Sequence, residues 1–156
     1  MSMIKEMLHD DLINDVEKSV SNEAFFKNAS QRLLELNYVY DTFEAAIIER
    51  EAAYPTGLEL EKISIAIPHT DSIHIKSPFI FINKIAHEGI EFIQMGTDDV
   101  PVKPEYIMVL GITEPKKQVG LLAELIELFS DDAFLQTLRD AKSVMAIKNA
   151  FLSGKE

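Results

Sequence analysis

The sequence predicts an α/β domain of three layers, α/β/α, with a central mixed β-sheet flanked by helices. Three observations carry that expectation. Tyr106-Ile107-Met108-Val109-Leu110 runs without polar alternation, the mark of a strand covered on both faces. Ile63-Ser64-Ile65-Ala66-Ile67 and Phe79-Ile80-Phe81-Ile82 are further β-prone runs. Helical periodicity occupies both ends of the chain, so helices are available for both faces of a sheet. The 156 residues fit one domain spanning 1–156. A chain of that size buries about 70% of its unfolded surface, enough for a core without staples.

The first twenty residues are ambiguous. Asp11-Leu12-Ile13-Asn14-Asp15-Val16 reads as a short edge strand or a loose helix. Ser21 then caps a helix to about Leu36, with Glu23 in its first turn and Phe26, Ala29, Leu33 and Leu36 as its buried stripe. A second helix is expected from Asp41 to Ala53, opened by an Asp41/Glu44 capping box and ended by Pro55 and Gly57. The strands follow, the second reaching as far as Ile85. Gly89 to Pro104 reads as a weak strand and an irregular acidic loop. A helix from about Lys116 carries Val119, Leu122, Ala123, Ile126 and Phe129 on one face. Asp131 to Arg139 and Ser143 to Leu152 make two more helices.

Composition limits the function. There is no cysteine, hence no disulfide, no thiolate nucleophile and no Cys-based zinc site. Net charge is -11, which repels nucleic acid and anionic membrane surfaces and suits a partner with a basic face. The bland reading is that acid keeps the protein soluble. Met1 to Asp10 lacks the pattern of a signal peptide, and no apolar run spans a bilayer, so a cytoplasmic protein without membrane insertion is expected. No phosphate-binding G-x-x-x-x-G-K-[ST] loop occurs, so neither ATP nor any other cofactor is called for.

Chemistry concentrates in SIAIPHTDSIHI, residues 64–75. Proline biases its predecessor toward an extended conformation and removes a ladder donor, so the strand stops at Pro68 and His69 follows on the first turn, held in place yet reachable by solvent. Side chains at such strand ends line ligand crevices in α/β sheets. A neutral imidazole is a nucleophile that needs no separate base, and it accepts a phosphoryl group where cations or amides stabilise the oxygens. The competing readings are a satisfied core or surface histidine and a metal site built from His69, Asp71 and His74, spaced H-x-D-x-x-H. His9, His74 and His87 read as ordinary surface or packing residues.

Arg50 lies seven residues after Phe43 and three after Ile47, so it continues the apolar stripe of its helix and needs an anionic partner there. It is a candidate clamp for phosphate or carboxylate, or else a snorkelling or Glu51-paired arginine. Gln118 opens the helix that follows the last strand, with Leu121, Leu122 and Leu125 on the same side. An amide beside unpaired backbone N–H groups suits an anion or an imidazole, or is simply a fraying polar end.

Together, REAAYPTGLELEKISIAIPHTDSIHIKS resembles the IIA component of the bacterial sugar phosphotransferase system, in the fructose–mannitol superfamily. YPTGL followed by AIPHT and HIKS looks most like the galactitol-type branch, and the resemblance runs from about Asp11 to Leu152. It implies that His69 is phosphorylated by the histidine phosphocarrier protein HPr and passes the group to a cysteine of the IIB component, which serves the IIC membrane permease. It implies that Arg50 stabilises the phosphate and makes Thr56 a candidate donor to the phosphoryl oxygens. Many fructose- and mannitol-type members carry a second histidine where this chain has Gln118, which puts proton exchange by a second imidazole in doubt and leaves an amide hydrogen bond. The resemblance also admits a regulatory module that acts through protein contacts. A metal-dependent hydrolase is the third reading. Galactitol, a pentitol or another polyol are equally open as the sugar, since the IIA component does not touch it.

Overall fold

The computed structural model describes residues 3–19, 21–85 and 89–153; His87 lies outside them. The chain opens with helix α1 (Met3–Met7), then strand β1 (Leu8–Glu17), helices α2 (Asn22–Glu35) and α3 (Phe43–Ala53), and strands β2 (Gly57–Glu59) and β3 (Ser64–Ala66). After one 3₁₀ turn (Ser72–His74) come strands β4 (Phe79–Ile85), β5 (Phe92–Ile93), β6 (Pro101–Val102) and β7 (Tyr106–Gly111). A second 3₁₀ turn (Pro115–Lys117) leads into helices α4 (Gln118–Leu128), α5 (Asp132–Asp140) and α6 (Val144–Leu152).

Five strands form one mixed sheet in the order β1-β4-β7-β3-β2, and β5 and β6 form a separate ribbon. β1 and β4 are parallel, β4 and β7 antiparallel, β3 and β7 parallel, and β2 and β3 antiparallel. The period of two along each strand sorts its side chains between two cores. Ile80, Ile82, Tyr106, Met108 and Leu110 join the cluster that α1, α4, α5 and α6 cover. Phe79, Phe81, Ile107 and Val109 join the cluster under α2 and α3. Every residue of β7 is buried, as its unbroken apolar run requires.

Several boundaries depart from the expectation. The ambiguous N-terminal stretch is a ten-residue edge strand, with register shifts where it pairs β4. Ser21 does cap α2, its hydroxyl accepting from Ala24 N at 3.1 Å. The Asp41/Glu44 capping box is absent: α3 starts at Phe43 after a helical Thr42, and no side chain caps it. The face expected of α4 holds in part: Phe129 is buried and Leu122 and Ile126 pack half-buried against the core. Val119 is 79% exposed and Ala123 is exposed, while Leu121, Leu125 and Leu128 are buried. The buried stripe is therefore wider than expected on the Leu121 side and stops short of Val119 and Ala123.

Candidate functional site

The sheet topology gathers three segments at one end. β3 and β7 are parallel, so their C-terminal ends lie side by side. β2 runs against β3 with Gly57 opposite Ala66, so the Pro55-Thr56 turn entering β2 meets the exit of β3. Helix α3 delivers Arg50 and Glu51 one turn before that point.

His69 leaves β3 after Pro68 without turning away. It pairs in parallel fashion with Leu110 of β7, and Leu110 N donates to Pro68 O at 2.9 Å. This corrects the expectation of an open imidazole: His69 is 5% exposed, with Thr70 buried beside it. The ring nitrogen Nδ1 lies 2.8 Å from Ile67 O. A carbonyl only accepts, so Nδ1 carries the proton and Nε2 of the neutral ring carries the lone pair. Nε2 bonds to none of the described residues. Nor does it belong to the fully covered side-chain atoms left without partner, which are Ser30 Oγ, Arg50 Nε and Asn83 Oδ1. The small exposed part of His69 therefore includes that nitrogen. Burial pushes the imidazole below its ordinary value of 6.5, and the Arg50 charge adds to this; the Ile67 bond and Asp71 oppose it. The neutral ring is thus favoured at neutral pH.

Arg50 is half-buried and its Nε is covered without a partner. Its guanidinium stands over the Tyr54 ring, 4.6 Å from the centroid. Among the described residues it forms no ion pair. The stripe argument placed this side chain correctly: Phe43 and Ile47 are buried below it. The guanidinium is a cation held close enough to His69 to shift its titration, with a donor still to satisfy.

Thr56 is 3% exposed, and both its donors are engaged. Its N–H donates to Glu51 Oε2 and its hydroxyl to Glu51 Oε1, each at 2.8 Å. Its carbonyl accepts from Ile67 N at 3.3 Å. The hydroxyl proton expected to face a phosphoryl oxygen thus lies on Glu51. Gln118 is the first residue of α4 and half-buried, two short steps past β7 through Ile112 and the 3₁₀ turn. No hydrogen bond joins its side chain to His69.

Glu51 is the residue that sequence reasoning weighed only as a foil for Arg50. It is 7% exposed, and burial raises its carboxyl to about 7 against the two Thr56 bonds and the Arg50 charge, which lower it. A glutamate five residues before a threonine in a Pro-Thr-Gly turn was the available signal. The H-x-D-x-x-H ligand set does not assemble. His74 Nδ1 lies 2.7 Å from Thr42 Oγ1, Asp71 is exposed, and among the described residues no group of three His, Asp or Glu side chains is placed to hold a metal. His9 packs on Tyr38, with Nε2 3.0 Å from Pro78 O.

The strand ends of the mixed sheet thus hold a ring nitrogen with an unshared lone pair and, within electrostatic reach of it, a guanidinium whose covered Nε has no partner. The family described as "Phosphoenolpyruvate-dependent sugar phosphotransferase system, EIIA 2" matches residues 6–154. The chain belongs to this family of phosphotransfer components. It is 32% identical over 119 residues to the PTS system galactitol-specific EIIA component of Escherichia coli (strain K12), covering 76% of this chain and 78% of that protein. In fold it is similar to the IIA mannitol of Escherichia coli, with a TM-score of 0.72 at 18% identity, over 92% of this chain and 97% of that one. It is equally similar to enzyme IIAMtl in its complex with phosphorylated enzyme IIBMtl from Escherichia coli, with a TM-score of 0.73 at 16% identity, over 94% and 99%. Among the described residues no helix is long and apolar enough to cross a membrane.

Proposed function

We propose that the chain, as a single IIA unit over 1–156, carries a phosphoryl group on His69 between HPr and a IIB component in the cytoplasm. The observation that carries this reading is the fixed tautomer: Nδ1–H is held on Ile67 O, which leaves the recessed Nε2 lone pair without a partner and within electrostatic reach of Arg50. In the first transfer that lone pair attacks phosphorus, and the bond to the donor histidine breaks with its electron pair returning to the donor nitrogen. In the second, a thiolate of IIB attacks phosphorus and Nε2 recovers its pair. Arg50 balances the charge on the equatorial oxygens, and its unpartnered Nε–H supplies a donor. Gln118 is a further donor of the site, and Thr56 acts through its backbone and its grip on Glu51.

Three large apolar side chains close in sequence to these residues are exposed: Tyr54 at 64%, under the Arg50 guanidinium, Ile73 at 75% and Val119 at 79%. Exposed apolar side chains of this kind suit docking of a partner protein. The kinship with a galactitol-specific component supports uptake of a galactitol-like polyol or related sugar through the IIC permease served by IIB.

Incubation with phosphoenolpyruvate, enzyme I and HPr is expected to place a single acid-labile, alkali-stable phosphate on each chain. His69→Ala removes that label while the fold survives. Acid-labile phosphate retained on folded His69→Ala overturns the assignment.

A further inference from the structure

We propose that Glu51 is a positioning residue for His69, acting through Thr56 and the backbone of Ile67. Four hydrogen bonds make three successive links, the first of them double. Thr56 N–H and Oγ–H donate to the two oxygens of Glu51, Ile67 N–H donates to Thr56 O, and His69 Nδ1–H donates to Ile67 O. The series begins on a helix and ends on the imidazole, and its side chains are all less than a tenth exposed. Each bond fixes the next group. The carboxylate closes the turn after α3, the turn sets where Thr56 O meets the end of β3, and the Ile67 carbonyl dictates which ring nitrogen holds the proton.

Burying an ionisable carboxyl costs free energy unless its bonds compensate. An apolar side chain at 51 would fill the same space, but could not bind both donors of Thr56 and would leave a buried N–H without a partner. The charged groups around Glu51 are Arg50 on its own helix and, around the cavity of about 310 Å³ that it shares, Glu23 of α2 and Asp98. The role assigned to Glu51 is one of shape. A glutamine can accept from Thr56 N–H through its oxygen and donate to Thr56 Oγ through its amide, so it should restore what alanine loses.

The test reads the His69 ring directly. Nitrogen-15 NMR of the full chain is expected to show the wild-type ring with its proton on Nδ1. In Glu51→Ala the tautomer population shifts toward Nε2–H, and the maximal rate of phosphoryl transfer from HPr falls about 10-fold or more with KM for HPr little changed, as for loss of a supporting partner. Glu51→Gln should recover both readings to within about 3-fold. Thr56→Val keeps its volume and its N–H and loses one bond of the series, so an intermediate shift is expected; it carries the test should Glu51→Ala fail to fold. Wild-type ring shifts and wild-type maximal rate in the folded alanine or valine variant overturn the proposal. The inference rests on the carrier reading only for its kinetic arm. Absence of any label on wild type defeats that reading, while the ring spectra still decide the role of Glu51.

Discussion

At Arg50 the chain places a guanidinium whose Nε is covered and bonded to nothing. An unmet buried donor costs on the order of 1–3 kcal/mol, offset in part by the Tyr54 ring beneath. A phosphoryl oxygen bound there, as the proposed function requires, would remove that cost. Arg50→Ala should slow phosphoryl transfer about 10²- to 10³-fold, as for loss of an oxyanion donor, with melting temperature little changed. A time course of labelling and a thermal melt check both halves; unchanged kinetics would remove its role. Glu51 makes a separate prediction about stability. Its folded value of about 7 stands above the 4.5 of the free group, so its ionisation opposes folding. Stability from this group is complete below pH 4.5 and lost as pH rises to about 7. The gap is worth roughly 3 kcal/mol, partly offset in Glu51→Gln by changed hydrogen bonds. That variant should therefore melt higher than wild type at pH 8 and at about the same temperature near pH 4.5. His69 runs the other way: its folded value is lowered, so its contribution is lost as pH falls below 6.5. The positions of His69 and Arg50 were legible from Pro68 and the α3 stripe, though the imidazole expected to be open is only 5% exposed. Glu51 was not legible, since its partners come from the turn that it helps to form.

Elements were legible where their ends carry chemistry and illegible where pairing with a distant segment makes them. Ser21 and Ser143 cap α2 and α6 as their positions suggest, Ser143 Oγ accepting from Ala146 N at 3.1 Å. Asp131 caps α5 likewise, accepting from Phe134 N at 3.1 Å. Ser143→Ala should cost about 1 kcal/mol in chemical denaturation and leave labelling of His69 untouched, because α6 packs on the face of the sheet away from α3. A loss of labelling at full foldedness would show that the helix communicates with the site. On α4 the expectation held at Leu122, Ile126 and Phe129 and failed at Val119 and Ala123, because Leu121, Leu125 and Leu128 take the centre of the buried face. β2 has no signal of its own in the sequence, since three residues, Gly57-Leu58-Glu59, carry too little periodicity to announce a strand. It becomes one through its ladder with β3.

The order β1-β4-β7-β3-β2 follows neither sequence nor composition, yet it alone brings the ends of β3 and β7 beside the start of β2. Hydrophobic pattern gave the layers, and long-range pairing decided the site. The β5–β6 ribbon belongs to the same assembly: Met95 N donates to Gly57 O at 2.7 Å and Glu59 N to Gln94 Oε1 at 3.0 Å, so the ribbon lies along the edge strand next to Thr56. Gly57 lets it approach. A Cβ there would stand 2.6 Å from Ile93 O and 3.2 Å from Val102 Cβ, and the first of these is backbone that cannot swing aside. Gly57→Ala should therefore push the ribbon off the sheet, destabilise the fold by about 1–3 kcal/mol, and disturb the amide signals of Thr56 and Ile67 together with the His69 ring. Gly96→Ala is the control within the same ribbon. Its φ of +82° makes alanine cost about 1 kcal/mol, but nothing lies within 4 Å of the added carbon. Its spectral changes should stay local, with labelling near the wild-type rate. If both substitutions perturb the His69 ring equally, close packing at Gly57 is not what ties the ribbon to the site.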